Sequence, residues 1–231
     1  RNPFIDHPEF VWTIWATSLN DSKIYLGVSP PADGTSTAPV NLGAIIVNAP
    51  MPAPQIVPLN KSGTAPTTLN IVLGGSAVSP DAGPRQAFIG GTQSRNIGAG
   101  LTNSTAVAGL EAGTITTVNT RLTFPGTGQG SADGNDTVSV SATVLDHANA
   151  SFPTPSDQNN LTIDFGTVPI GAVMTQTFEI RNLALTPGFT ASLDLDSVGG
   201  TGDTARLFTD MAPFANLAAG SGNSFTASFD R

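Results

Sequence analysis

LTIDFGTVPIGAVMTQTFEIRN, residues 161–182, is the stretch that decides the fold class. Leu161, Ile163 and Phe165 alternate with Thr162, Asp164 and Gly166, the period of a half-buried strand. Pro169 and Gly171 punctuate it, because proline fixes φ and glycine permits positive φ. Beyond them Met174, Gln176, Phe178 and Ile180 alternate with Thr175, Thr177, Glu179 and Arg181. Two β-strands joined by a Pro-Gly turn are predicted here.

The same pattern occurs earlier in the chain. NLGAIIVNAPMPAPQIVPLNKSGTAPTTLNIVLGG, from residue 41, parallels DFGTVPIGAVMTQTFEIRNLALTPGFTASLDLDSVGG, from residue 164. Leu42-Gly43 matches Phe165-Gly166, a shift of 123 residues, and Pro58-Leu59-Asn60 matches Ile180-Arg181-Asn182, a shift of 122. Short strands, frequent turn signals and this repeat predict an all-β chain of tandem immunoglobulin-like β-sandwiches. The expected division is an N-terminal segment over residues 1–22, a first sandwich over 23–148 and a second over 149–231. Copy one continues through strands at 95–101, 113–124 and 137–145, whereas the last residues of copy two, SFTASFDR, match only residues 94–102. Copy two is therefore expected to lack its last strands and to expose a groove and open edges. Either the polypeptide continues, or another strand fills the gap.

Bulk composition narrows the function. Charged residues make up 11% of the 231, and Gly and Pro together number 43, so solubility rests on hydroxyls and amides. Net charge is −8 with nine Lys plus Arg, which argues against nucleic acid as a partner and against an anionic membrane surface. No run of apolar residues is long enough to span a bilayer. The absence of Cys removes disulfides and thiolate zinc sites. The low-charge, Thr/Ser/Gly-rich make-up points to an extracellular or cell-surface location in a bacterium. Arg1 is not an initiator Met, so a processed or excised piece of a longer protein is expected.

The opening residues, RNPFIDHPEFVWTIW, differ from the rest and hold both Trp residues. Pro8, Glu9, Phe10, Val11, Ile14 and Trp15 predict a short amphipathic helix. The run resembles the C-terminal end of the secreted bacterial endonuclease I family, whose ββα-metal domain closes on an Asn-Pro-Phe-hydrophobic-Asp-His-Pro-Glu string. The resemblance implies a metal-holding role for Asn2, while the family's catalytic His and acidic ligand have no counterpart. One amide oxygen does not make a Mg²⁺ site. The later repeats resemble the choice-of-anchor D and Hydin-like family. The resemblance rests on Phe165-Gly166-Thr167-Val168-Pro169-Ile170-Gly171, Thr177-Phe178-Glu179-Ile180-Arg181-Asn182 and Leu217-Ala218-Ala219-Gly220. Copy one is more degenerate, with Asn48 where copy two has Gly171. This resemblance implies non-catalytic modules of large bacterial surface or secreted proteins.

Three groups of residues are candidates for ligand chemistry. Asp133, Asn135 and Asp136 alternate carboxylates and an amide on a Gly-rich loop, a pattern that suits calcium and equally a plain turn. Asp194 and Asp196 share one strand face near Asp203, as a binding pair or as the solvated face of an edge strand. His7 and His147 fall in unrelated places and build no Ser/His/Asp set; no cofactor is expected. Sequons at Asn20, Asn60, Asn103, Asn135, Asn149 and Asn160 are candidate glycan sites. The expected function is a non-catalytic structural or interaction module. Its homo-oligomer or fibre would form when residues 23–28, or the 4–15 stretch, add to a neighbour's open sheet. The alternative is the targeting or anchoring region of a secreted endonuclease I-like nuclease.

Overall fold

The computed structural model describes residues 3–6, 22–27, 39–63, 67–88, 92–102, 104–120, 134–152 and 156–230. The chain divides into two compact units. One takes residues 1–43, 50–104 and 110–142, the other 44–49, 105–109 and 143–231. The described residues are almost all β: one helical turn, α1 (Pro3–Asp6), precedes fifteen strands. The helix predicted from Pro8 lies outside the described residues.

The first unit is a two-layer sandwich. One sheet has the order β1-β3-β7-β5, from β1 (Lys23–Leu26), β3 (Gln55–Ser62), β7 (Gln93–Leu101) and β5 (Ala77–Val78). The other has the order β2-β9-β8-β4-β6, from β2 (Val40–Ile46), β9 (Asp136–Leu145), β8 (Gly109–Thr120), β4 (Thr67–Gly75) and β6 (Gly83–Phe88). Alternation in the sequence becomes alternation in burial. Val57 and Leu59 on β3, Leu69 and Ile71 on β4, and Val138 and Val140 on β9 all point into one core. Lys61 is also fully buried, its Nζ donating to the carbonyls of Ser62 (3.3 Å) and Gly63 (3.0 Å).

The second unit repeats half of this plan. Its four-stranded sheet has the order β10-β11-β15-β13, from β10 (Ala150–Ser151), β11 (Val173–Asn182), β15 (Gly222–Asp230) and β13 (Leu207–Thr209). Strand for strand this is β1-β3-β7-β5. Among the described residues the opposing sheet holds β12 (Leu193–Leu195) and β14 (Phe214–Leu217), the places of β4 and β6. Among the described residues nothing stands where β8 and β9 stand in the first unit.

Side-chain hydrogen bonds fix the equivalence. Gly43 N–H donates to Asn41 Oδ1, and Gly166 N–H donates to Asp164 Oδ1, both at 2.8 Å. Each glycine sits at positive φ, +90° and +64°, which these tight Asx turns require. Gln55 Nε2 donates to Asn41 O at 3.3 Å, and Gln176 Nε2 donates to Asp164 O at 2.8 Å. Gln55 therefore matches Gln176, which sets Leu59 against Ile180 and Lys61 against Asn182 along the buried face. The match of Asn60 with Asn182 made from letters alone is one residue out of phase.

Two further expectations are corrected. Residues 161–165 alternate like a strand but form none. Their counterpart β2 is held by β9, and a segment without a neighbouring ladder keeps its backbone groups unpaired by sheet. The candidate donor at residues 23–28 is engaged at home: Lys23 to Leu26 pair antiparallel with Ser62 to Leu59, and Ile24 and Leu26 are buried.

Candidate interaction face of the second unit

The inner face of the second unit's larger sheet is built by register. β11 and β15 pair antiparallel so that Phe178 lies opposite Phe225 and Met174 opposite Phe229. Side chains directly opposite share a face, so Met174, Phe178, Ile180, Phe225, Ala227 and Phe229 present one apolar surface. β13 adds Leu207 opposite Phe229. The rings run on in contact: Phe152 to Phe178 at 6.2 Å, Phe178 to Phe225 at 5.8 Å and Phe225 to Phe214 at 6.2 Å between centroids. Phe165 closes on Phe229 at 6.0 Å. These separations lie within the favourable range for aromatic pairs.

This surface is only partly covered. Leu207 is 49% exposed and Met174 39%. In the first unit, Ala77 and Leu101 occupy the places of Leu207 and Phe229 and are each 5% exposed. Two cavities mark the deficit. One, of about 260 Å³, is lined by Phe152, Ile180, Leu193, Leu195, Met211 and Phe214 among others. The other, of about 360 Å³, lies against Ile163, Phe165, Phe178, Leu207, Phe208 and Met211.

A polar staple holds the two sheets of this unit together beneath the opening. Asn182 is fully buried. Its Nδ2 donates to Ala191 O (2.8 Å) and Leu217 O (3.1 Å), and its Oδ1 accepts from Asn149 N–H (3.1 Å). All three partners are main-chain groups, so both the donor and the acceptor side of the buried amide are satisfied.

The residues singled out from sequence fall elsewhere. Asn2, Asp133 and His7 lie outside the described residues. Asn135 is exposed, while Asp136 opens β9, is buried, and accepts at its carbonyl from Thr117 Oγ1 (3.4 Å). Asp194 accepts the Asn216 N–H at 2.6 Å and so ties β12 to β14; Asp196 is exposed beside it. Asp203 lies 3.9 Å from Arg206. His147 is exposed, and its N–H donates to Asp146 Oδ1 at 3.0 Å. Among the described residues no three His, Asp or Glu side chains gather as a metal site. No helix among them is long and apolar enough to cross a membrane.

The phenylalanines were not read as a site from sequence. A signal was present: of the twelve Phe residues, Phe152, Phe165, Phe178, Phe189, Phe208, Phe214, Phe225 and Phe229 all follow residue 150. The first repeat fills the same inner positions with Leu, Ile and Val.

No family model matches the chain, and no curated protein matches it. Among solved structures, the chain is similar to one in the CsuC-CsuE chaperone–tip adhesion subunit pre-assembly complex of archaic chaperone-usher Csu pili from Acinetobacter baumannii. Identity is 11%, coverage is 83% of this chain and 92% of that one, and the TM-score is 0.21.

Proposed function

We propose that this chain is an interaction module of a bacterial surface or secreted protein, working by binding rather than by catalysis, and that its second unit accepts β-structure from a partner. The half-covered apolar face of β11, β15 and β13 carries this reading. Strand addition suits it, since main-chain bonds to a free edge supply affinity and pockets for alternate side chains supply specificity. Among the described residues β12 pairs with β14 alone, whereas β4 in the same place is flanked by both β6 and β8; the run leading into β12 bridges Asp146 at Thr190. The low-charge composition and the resemblance to choice-of-anchor D modules support the surface or secreted setting. A strand given by one copy to the next would make a head-to-tail fibre.

Binding of the dye 1-anilinonaphthalene-8-sulfonate to the native chain tests the open face. Saturable fluorescence enhancement is expected, falling at least severalfold in Phe178→Ser. A native chain that binds no dye would remove the face on which the proposal stands.

A further inference from the structure

We infer that the first unit carries an internal amide cross-link, formed between Lys61 Nζ and Cγ of Asn119 with Asp136 carrying the proton. The observation behind it is a change of chemistry at one end of the core. On β3 the inward row runs Val57, Leu59, Lys61, and on β9 it runs Val140, Val138, Asp136. On β4 it runs Ile71, Leu69, Thr67. β8 pairs Thr117 with Ile71 and Asn119 with Leu69, and directly opposite residues share a face, so its row runs Ile115, Thr117, Asn119. On β1 it runs Leu26, Ile24 and, just before the strand, Ser22. Each of these rows ends in a polar residue.

Hydrogen bonds tie the polar ends together across the sandwich. Thr67 Oγ1 donates to Asn119 Oδ1, and Asn119 Nδ2 donates to Ser22 O at 3.5 Å. Ser22 precedes Lys23, which pairs with Ser62, and Lys61 Nζ donates to Ser62 O (3.3 Å) and Gly63 O (3.0 Å). The amine and the amide are thus bound to carbonyls at the ends of adjacent strands. Thr117, the next inward residue on β8, donates from Oγ1 to Asp136 O at 3.4 Å. Lys61 is fully buried, and Asp136 is 3% exposed.

Burial supplies the chemistry. An apolar surround favours an uncharged amine, the nucleophilic form, and an uncharged carboxylic acid, which can give a proton. In the step, the Nζ lone pair attacks Cγ of Asn119 and a C–N bond forms. Asp136 gives its proton to the departing Nδ2 and takes one back from Nζ, and the Cγ–Nδ2 bond breaks. Ammonia leaves, and the atoms balance without another reactant. Asn119 Oδ1 gathers negative charge as the bond forms, and the Thr67 hydroxyl already donates to it. Holding both groups in one fold supplies the entropy that two free reactants would lose. The repeat supports the role. In the second unit Asn182 takes the place of Lys61 and bonds across to Ala191 O and Leu217 O. The same position ties the two layers in both units, by hydrogen bonds in one and by a covalent bond in the other. In a chain without Cys, such a link restricts the unfolded state as a disulfide does.

The intact mass of the purified 231-residue chain tests this. It is expected to fall short of the sequence mass by one molecule of ammonia. A protease digest is expected to yield a branched peptide joining the pieces that hold Lys61 and Asn119. Lys61→Arg and Asn119→Ala should each return to their full sequence masses, and Asp136→Asn should leave the folded chain unlinked. Where a variant fails to fold, the unsubstituted chain carries the decision. Full sequence mass in that chain would overturn the cross-link and leave Lys61 an ammonium held by main-chain carbonyls. Ammonia lost without a branched peptide, as in a cyclic imide, would sink it equally. Loss of one molecule of water, with the branch through Asp136, would overturn Asn119 as the partner. A cross-linked Asp136→Asn chain would remove Asp136 from the step.

Discussion

Leu101 and Phe229 hold the same place in two sheets of the same strand order, and their surroundings differ. Leu101 is sealed by a five-stranded layer; Phe229 shares its face with Leu207, which is 49% exposed. Both units use the same Asx turn, the same glutamine bond and the same antiparallel pairs. Among the described residues, what separates them is the number of strands opposite, five against two. One sheet of a sandwich specifies its own register but not its own cover. The first unit buries small branched side chains between two complete layers, while the second packs rings against one another.

Substitutions at matched positions probe this difference. Leu59→Ala should cost about 2–5 kcal/mol, because the side chain is fully buried and a cavity remains. Ile180→Ala, at the matched site beside the opening, should fall at or below the low end of that range, about 2 kcal/mol. Urea midpoints of the two variants compare them directly, and equal losses would deny that the second unit is more open. Asn182→Leu should cost about 2–3 kcal/mol, since it strands two buried carbonyls and an N–H. Faster amide exchange at Asn149 is the local sign to look for. Gly43→Ala and Gly166→Ala should each cost about 1 kcal/mol, from the positive φ and not from crowding, as no atom lies within 4 Å of either added Cβ. A much larger loss for one than the other would mean the shared turn is not equivalent. Leu207→Ser should change stability by no more than about 0.5 kcal/mol, as an exposed residue. Ala77→Asp, at the matched position, should be plainly destabilising because it buries a charge.

Much of the fold was legible in the residues. The period-two alternation of β11 and β9 and the repeat between Leu42-Gly43 and Phe165-Gly166 appear as strands and as matching turns. Register was legible only to within a residue. Letter matching pairs Asn60 with Asn182, yet Asn182 occupies the buried position of Lys61 and Asn60 faces outward to bond Gly27 O. A one-residue slip turns a strand over, and identical polar letters carry no mark of which face they take. The candidate face was not legible as a site, because an alternating apolar residue reads as core wherever it stands; only the concentration of phenylalanine after residue 150 hinted at a different use.

By itself, the sequence determined the all-β character, the turn positions and the twofold repeat, since each depends on neighbours a few residues away and on φ preferences of Gly and Pro. Tertiary structure decided the rest. Residues 161–165 have a strand's pattern without a strand's structure, and residues 23–26 are held by β3 where they had looked free to donate. Whether an apolar side chain is core or surface depends on what lies across the sandwich. That is a long-range property, and in the second unit it left Met174, Leu207 and Phe208 substantially exposed.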